Sequence, residues 1–267
     1  MKVDFLLIGA AKSATTSLSS CISQHPDICF SNPKEPQFFD KTDWRNHLDS
    51  YHSLFNEESK LYGEGSTNYS KYPHCNLNIY SDIYEYNPEM KIIYIMRHPI
   101  ERIVSQYTHA YNRGYDTNDD INKALMTDDH YINTGKYAMQ IEPYIETFGL
   151  SNILLLFFGD FISNPNKVTN KVFRFLELQP FEVDLSVLNI NKSNDKKLLH
   201  YKYDNPKTVL ERLKKAALIL KNYINPNFIH KKPQLLESTR EYILNNCKND
   251  IEKIEKLTQR DLSHWLR

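Results

Sequence analysis

The amino-acid sequence predicts a three-layer α/β protein in which a central parallel sheet is covered by helices on both faces. Two observations support this fold class. Apolar runs alternate with amphipathic segments along the chain, which is typical of parallel sheets built from strand–helix–strand units. The runs at residues 5–9 and 91–96 are apolar at nearly every position, as expected for strands buried on both faces.

The hydrophobic periodicity predicts the elements in order. Strands are expected at residues 4–9, 61–64, 91–96 and 152–157. Helices are expected at residues 15–24, 74–86, 99–113, 134–148, 165–177, 206–223, 234–247 and 249–257. The stretch after residue 200 is therefore a predicted helical C-terminal region. A chain of 267 residues can form one large core, and we expect residues 1–267 to be a single domain.

The first predicted strand leads into a P-loop-like phosphate-binding turn. Backbone N–H groups at the start of the next helix are unpaired and carry partial positive charge, so they favour an anion. Lys12 adds a full charge, but it follows Gly9 by three residues, whereas a nucleoside-triphosphate P-loop needs a longer spacing. The shorter turn suits a single phosphate. Its candidate contacts are Lys12, Ser13, Ala14, Thr15 and Thr16.

A second anion-binding candidate follows the third predicted strand. Arg97 stands at the end of this strand, where ligands bind in open α/β sheets. Ser105 lies on the next helix and shares a face with Arg102, three residues earlier. Guanidinium and hydroxyl donors suit a second phosphate. The alternative, that the arginines pair with structural carboxylates such as Glu101 or Glu64, remains open at this point.

The ordered pair of anion sites resembles the sulfotransferases that use 3′-phosphoadenosine 5′-phosphosulfate (PAPS). Residues 9–18 resemble the family's 5′-phosphosulfate loop, and residues 97–107 resemble its 3′-phosphate motif. Residues 32–40, with the sequence Asn-Pro-Lys-Glu-Pro-Gln-Phe-Phe-Asp, are similar to the Lys-Glu-x-x-Phe-Phe segment of the glycan-modifying, heparan-sulfate-type branch. The likeness covers nearly the whole chain and is weakest at about residues 110–132 and 195–235.

This resemblance implies a transferase that moves the sulfuryl group of PAPS in line to a hydroxyl or amine and releases adenosine 3′,5′-bisphosphate. The acceptor would be a carbohydrate or a glycosylated small molecule. Glu35 would be the catalytic base and Lys12 would stabilise the leaving group, while Arg97 and Ser105 would hold the 3′-phosphate. A kinase-like nucleotide-binding enzyme and a non-catalytic nucleotide-binding protein are the alternatives.

The sequence departs from the family pattern at three places. Ala14 stands where the family usually has glycine, which we expect to be tolerated if its φ angle is negative. Gly65 stands where the glycan branch often has lysine after the carboxylate of Glu64. The loop that closes over adenosine in relatives is not evident, and the polar, basic segment 191–197, with Lys192 as its candidate contact, is the best substitute.

Composition narrows the functional classes. Lys plus Arg equals Asp plus Glu at 33 each, so the zero net charge gives no support to non-specific nucleic-acid binding. The four cysteines lack CxxC spacing, and neither a metal site nor a disulfide is expected. No apolar run approaches the roughly 20 residues that span a bilayer, and no secretory signal precedes the first strand. We therefore expect a bacterial, cytoplasmic enzyme of unknown oligomeric state.

Overall fold

A parallel sheet forms the middle layer of the protein. The computed structural model describes residues 1–113, 115, 116, 118, 120–189, 208–210, 213 and 233–267. Its strands are β1 (Phe5–Gly9), β2 (Ile28–Phe30), β3 (Leu61–Glu64), β4 (Lys91–Met96) and β5 (Ile153–Phe157). They lie in the order β2-β3-β1-β4-β5, and every neighbouring pair is parallel.

Helices form the outer layers. Within the described residues they are α1 (Thr15–Ile22), α2 (Leu48–His52), α3 (Ile79–Tyr86), α4 (Pro99–Asn112), α5 (Ile121–Thr127), α6 (His130–Asn133), α7 (Tyr137–Phe148), α8 (Phe158–Ser163), α9 (Pro165–Phe175) and α10 (Glu237–Thr258). Two short 3₁₀ turns, Phe38–Asp40 and Thr67–Ser70, lie next to the region discussed below as the functional site.

Side chains of the central strand alternate between two hydrophobic cores. Leu6 and Ile8 of β1 belong to the core that also contains residues of α3, α4, α7 and α10. Phe5 and Leu7 belong to the core formed with α1 and α9. All four side chains are fully buried, because helices cover both faces of the sheet. The predicted three-layer α/β fold with a central parallel sheet is therefore confirmed.

The carboxyl ends of β1, β3 and β4 meet at one edge of the sheet, since these strands are parallel neighbours. The turn after β1 consequently lies between the segment that follows Glu64 and the segment that follows Met96. The backbone packs closely here: a side chain at Gly9 would overlap the hydroxyl of Ser70 and the ring of Tyr94. Glycine is needed at this strand end for that reason.

The predicted strand bounds agree with the structure to within one residue, and those of β3 and β4 match it. The prediction missed β2, which pairs with β3 at the edge of the sheet. Its three residues, Ile28–Phe30, are too few to show a strand period against the preceding helix.

The prediction of separate helices at residues 234–247 and 249–257 is wrong, because α10 is continuous. Asp250 is a residue type that often begins helices. In the structure its carboxylate instead accepts hydrogen bonds from the backbone N–H groups of Ala138 and Met139, at 3.0 and 2.9 Å. Asp250 thus caps α7 from a position inside α10.

Two predicted helices begin later than expected. The helix predicted at residues 74–86 starts at Ile79, because the side chain of Asn76 accepts a hydrogen bond from the N–H of Asn78 at 3.0 Å and forms a turn. The helix predicted at residues 134–148 starts at Tyr137. The other predicted helices up to residue 177 agree within two residues.

The short helices α2, α5, α6 and α8 were not predicted. The helical C-terminal region is confirmed in α10, whereas most of the predicted helix at residues 206–223 lies outside the described residues.

All four cysteine thiols are free, and three of them are buried. Within the described part of the chain, no three His, Cys, Asp or Glu residues are grouped so as to hold a metal ion. Among the same residues, no helix is both long enough and apolar enough to cross a bilayer.

Candidate functional site

The turn between β1 and α1 has the geometry of an anion-binding turn. No side chain in the described part of the chain caps α1, so the first N–H groups of the helix remain open to a ligand. Ser13 is fully buried, and its hydroxyl has no hydrogen-bond partner among the described residues. A buried, unpaired hydroxyl beside open N–H groups is well suited to a ligand oxygen. Thr15 is also buried, whereas Thr16 is exposed.

The expectation that Ala14 has a negative φ angle is wrong. Its φ angle is 67°, in the left-handed region, and Lys12 has a φ angle of 70°. The chain has residues 10–14 in which to turn from β1 into α1, and the left-handed residues make this tight reversal. The methyl group of Ala14 makes that conformation unfavourable by about 1–2 kcal/mol.

Lys12, in this turn, lies near other cationic side chains. Burial lowers the pKa of Lys12, and the nearby charges of Arg97 and Arg113 lower it further. The carboxylate of Glu35 acts in the opposite direction. Lys12, Arg97 and Glu35, which the sequence assigned to three separate segments, are therefore close enough to influence one another electrostatically.

The backbone of Arg97 is held by the buried hydroxyl of Tyr137. This hydroxyl accepts a hydrogen bond from the Arg97 N–H at 3.3 Å and donates one to the Arg97 carbonyl. The guanidinium donates to the carbonyl of Lys12 at 3.4 Å, so the two predicted anion sites touch. It also pairs with Glu101 at 3.0 Å, as the alternative interpretation allowed, but this carboxylate is 56% exposed.

Arg102 does not belong to the anion site. It is fully buried, and its guanidinium donates hydrogen bonds to the side chain of Gln106 and the carbonyl of Tyr131 rather than to Glu64. Ser105, on the same helix, is partly exposed. Of the two arginines in this segment, Arg97 is thus the one that lies at the sheet edge.

Glu35 lies on a loop that is anchored in the core. Phe38, three residues later, is 3% exposed and stacks on Tyr51 with 3.9 Å between ring centroids. The Glu35 carboxylate pairs with Lys34 at 2.6 Å and accepts a hydrogen bond from the Thr67 hydroxyl at 3.4 Å. Phe38 therefore anchors this loop in the core, while the side chain of Glu35 stays partly exposed beside Lys34.

Glu64 is a second carboxylate at this edge, and it is fully buried. Its oxygens accept hydrogen bonds from Tyr69 and Ser66, each at 2.7 Å. Burial raises the pKa of Glu64 to about 7, and these hydrogen bonds oppose part of the rise. From its sequence position Glu64 was expected to be an arginine partner at most, and this buried environment was not predicted.

Sequence reasoning also missed Lys71 and His109, whose pKa values respond to the charge of Glu35. Burial lowers the pKa of Lys71, and the charge of Glu35 opposes this effect. Burial likewise lowers the pKa of His109, and the charges of Lys12 and Arg113 add to the shift. His109 follows Ser105 by four residues, so the spacing on one helix face was the signal available in the sequence.

Several other residues in the neighbourhood are structural. Tyr69, Tyr107 and Tyr137 are at most 3% exposed, so they pack in the core rather than border an open groove. Lys136 donates to the side chain of Asn133 at 3.2 Å. Lys192, the predicted contact in the closing loop, lies outside the described residues.

Comparison with known proteins gives a consistent result. A family model described as "Sulfotransferase domain" matches residues 2–255. The bifunctional heparan sulfate N-deacetylase/N-sulfotransferase of Drosophila melanogaster is 25% identical over 307 residues, covering 98% of this chain and 27% of that protein. The human bifunctional heparan sulfate N-deacetylase/N-sulfotransferase 1 is 26% identical over 195 residues, covering 64% of this chain and 21% of that protein. The chain thus spans about a quarter of the length of these relatives.

Solved structures show the same fold. A sulfotransferase from Alicyclobacillus acidocaldarius superposes with a TM-score of 0.72 at 23% identity, covering 100% of both chains. The mouse sulfotransferase SULT7A1, solved in complex with PAP, superposes with a TM-score of 0.53 at 15% identity, covering 94% of this chain and 85% of that one.

The left-handed conformation of Ala14 leads to a stability prediction. Ala14→Gly should increase the free energy of unfolding by about 1 kcal/mol, because glycine adopts a φ angle of 67° without steric cost. Urea denaturation measures the change. Ala11→Gly, in the same turn, is the matched control and should decrease the free energy of unfolding, since the φ angle of Ala11 is not positive. A loss of stability in both variants would contradict the strain assigned to Ala14.

Proposed function

Since the chain belongs to the sulfotransferase domain family, we propose that it transfers the sulfuryl group of PAPS to a hydroxyl or amine of a carbohydrate acceptor. The printed names of the relatives, heparan sulfate N-sulfotransferases, support a glycan acceptor. The PAP bound in the mouse structure of the same fold supports PAPS as the donor and adenosine 3′,5′-bisphosphate as the product.

The contact between the two anion sites is the observation that carries this proposal. The Arg97 guanidinium reaches the carbonyl of Lys12 at 3.4 Å, so the end of β4 and the turn after β1 form one continuous surface. A ligand with two phosphate groups on one ribose can occupy both sites. Adenosine 3′,5′-bisphosphate has this arrangement, whereas ATP carries its phosphates in a single chain.

The turn has the donors that a 5′-phosphosulfate requires. The open N–H groups of α1 and the Ser13 hydroxyl, which has no partner among the described residues, directly follow Lys12 in the turn. Thr15 and Thr16 are at the first positions of α1, where hydroxyl groups add further donors. Arg97 and Ser105 supply a guanidinium and a hydroxyl for the 3′-phosphate.

Lys12 and the amide groups at the start of α1 stabilise the charge that develops on the leaving group. PAPS supplies an activated sulfuryl group, so the protein has to align the acceptor and stabilise charge rather than create a reactive intermediate. The acceptor oxygen or nitrogen forms a bond to sulfur while the bond between sulfur and the 5′-phosphate oxygen breaks. The electron pair of that bond stays on the phosphate.

Glu35 removes the proton that the acceptor loses. Its carboxylate lies near Lys12, and the Thr67 hydroxyl donates to one of its oxygens. The second oxygen pairs with Lys34, and the acceptor proton is taken when this partly exposed pair opens. One acceptor and one PAPS thus give a sulfated acceptor, adenosine 3′,5′-bisphosphate and a proton.

Three further expectations stay predictions from the sequence: residence in a bacterial cytoplasm, a single domain over residues 1–267 and a contact from Lys192.

Nucleotide binding tests the two-site arrangement. The protein should bind adenosine 3′,5′-bisphosphate about 10- to 100-fold more tightly than adenosine 5′-phosphate, because charged hydrogen bonds to the 3′-phosphate are worth about 1.5–3 kcal/mol. Arg97→Ala should remove most of this difference. Isothermal titration calorimetry with each nucleotide provides both affinities.

Arg45→Ala is the matched control for charge, since Arg45 pairs with Glu85 and Asp82 on another surface. Its affinities should equal those of the wild type. Tighter binding of ATP with Mg²⁺ than of adenosine 3′,5′-bisphosphate would favour the kinase-like alternative.

Substitution of the assigned base tests the chemistry. Glu35→Gln should lower the turnover rate by about 10²–10⁴-fold, because the amide cannot accept the proton. The affinity for adenosine 3′,5′-bisphosphate should stay within about threefold of the wild-type value, since the phosphate groups bind to residues other than Glu35. Lys12→Ala should abolish turnover. Transfer of labelled sulfate from PAPS to a panel that includes N-desulfated heparin measures both effects.

Glu85→Gln is the control, because Glu85 is an exposed carboxylate on the surface near Arg45. This variant should keep wild-type turnover. Near-full activity of Glu35→Gln would show that the assigned base is wrong. Nucleotide binding without transfer to any acceptor would favour the non-catalytic alternative.

A further inference from the structure

We propose that Glu64 is a positioning residue that fixes the direction of the Glu35 side chain through two hydroxyl groups and two backbone amides. This inference rests on the proposed function for the role of Glu35, while the contacts that support it are independent of that role. Glu64 ends β3, a strand held in the middle of the sheet between β2 and β1. Its position is therefore fixed by the sheet itself.

The first connection runs through Ser66. The Ser66 hydroxyl donates to Oε2 of Glu64 at 2.7 Å and accepts the N–H of Gln37 at 2.9 Å. Ser66 is fully buried, so no water competes for these bonds. Gln37 lies two residues after Glu35 in the chain.

The second connection runs through Tyr69. The Tyr69 hydroxyl donates to Oε1 of Glu64 at 2.7 Å and accepts the N–H of Phe39 at 3.2 Å. Tyr69 is 1% exposed, and its own carbonyl accepts a hydrogen bond from Tyr144 at 2.6 Å. The two oxygens of a single carboxylate thus hold two backbone amides on either side of Phe38.

The chemistry of a carboxylate explains why this arrangement works. In its ionised form a carboxylate can only accept hydrogen bonds, so both hydroxyl groups donate to Glu64 when it is charged. Each hydroxyl oxygen then has its lone pairs free to accept a backbone N–H. Glutamine would present one oxygen and one NH₂ group, and the NH₂ group would force one hydroxyl to reverse its direction.

The loop requires such support because its backbone is strained. Glu35 and Gln37 have φ angles of 62° and 50°, in the left-handed region, and neither is glycine. Each such residue costs about 1–3 kcal/mol and persists when the surrounding structure holds it. The amides fixed by Glu64 are those of Gln37 itself and of Phe39, two residues later.

The turn that carries the two hydroxyls also contacts Glu35 directly. Thr67 lies between Ser66 and Tyr69 in this turn, and its hydroxyl donates to Oε2 of Glu35 at 3.4 Å. Glu64 therefore holds the loop backbone, while the adjacent residue of the same turn orients the Glu35 carboxylate. A purely structural Glu64 would stabilise the fold without affecting Glu35 in this way.

Hydrogen exchange tests the connections without reference to turnover. Ser66→Ala should accelerate exchange of the Gln37 amide, and Tyr69→Phe should accelerate exchange of the Phe39 amide, each by about tenfold. Glu64→Gln should accelerate at least one of them. NMR on the nucleotide-free protein resolves the two amides. Unchanged exchange in all three variants would overturn the proposed connections, whatever reaction the protein catalyses.

A double-mutant cycle tests the positioning role. Glu64→Gln alone should lower kcat by about 10²-fold, with the affinity for adenosine 3′,5′-bisphosphate within about twofold of wild type, which shows that the variant is folded. In the Glu35→Gln background the same substitution should change kcat by less than about threefold, because Glu64 acts through Glu35. Ser66→Ala and Tyr69→Phe should show smaller losses that also vanish in this background.

Tyr51→Phe is the matched control. Its hydroxyl lies 3.5 Å from Oε1 of Glu64 and is not connected to Gln37 or Phe39, so kcat should change by less than about threefold. Equal losses from Glu64→Gln in the wild-type and Glu35→Gln backgrounds would assign Glu64 a structural role and overturn the proposal. Absence of any transfer by the wild type would instead refute the proposed function, and the exchange measurements would still decide the connections.

Discussion

The parallel pairing of β1 with both β3 and β4 is the constraint on which the site depends. It brings three strand ends to one edge, and each end delivers a different group: Lys12 after β1, Glu64 at the end of β3 and Arg97 after β4. The buried Tyr137 hydroxyl then fixes the Arg97 backbone, and Asp250 caps the helix that carries Tyr137. The anion site is thus tied through α7 to the C-terminal helix, which is how a remote element contributes to its geometry.

The electrostatics of this edge favour an anionic ligand. Burial lowers the pKa of Lys12, the nearby charges of Arg97 and Arg113 lower it further, and Glu35 opposes this shift in part. Burial lowers the pKa of His109, and the charges of Lys12 and Arg113 lower it further. Bound phosphate groups would relieve the repulsion, so the charges that disfavour the free site favour the complex. Zero net charge over the whole chain is therefore compatible with a strongly cationic site.

The sequence predicted the elements whose signals are local and missed those that depend on distant contacts. The buried strands β1 and β4 and the glycine–lysine turn were found because their patterns are continuous along the chain. The positive φ angle of Ala14 was missed, since the tight path into α1 is set by the sheet. The cap that Asp250 provides for α7 was missed because these residues are far apart in the sequence. Glu64 was missed because its connections to Gln37 and Phe39 appear only when β3 and the loop pack together.

A crystal structure with adenosine 3′,5′-bisphosphate would test most directly whether one nucleotide bridges the two anion sites. We expect the 5′-phosphate to lie within about 3.2 Å of the amides at the start of α1 and of the Lys12 ammonium group. The 3′-phosphate should contact the hydroxyl of Ser105 and the guanidinium of Arg97. The guanidinium would then no longer pair with Glu101. A nucleotide bound elsewhere, or one whose 3′-phosphate points into solvent away from Arg97, would contradict the account.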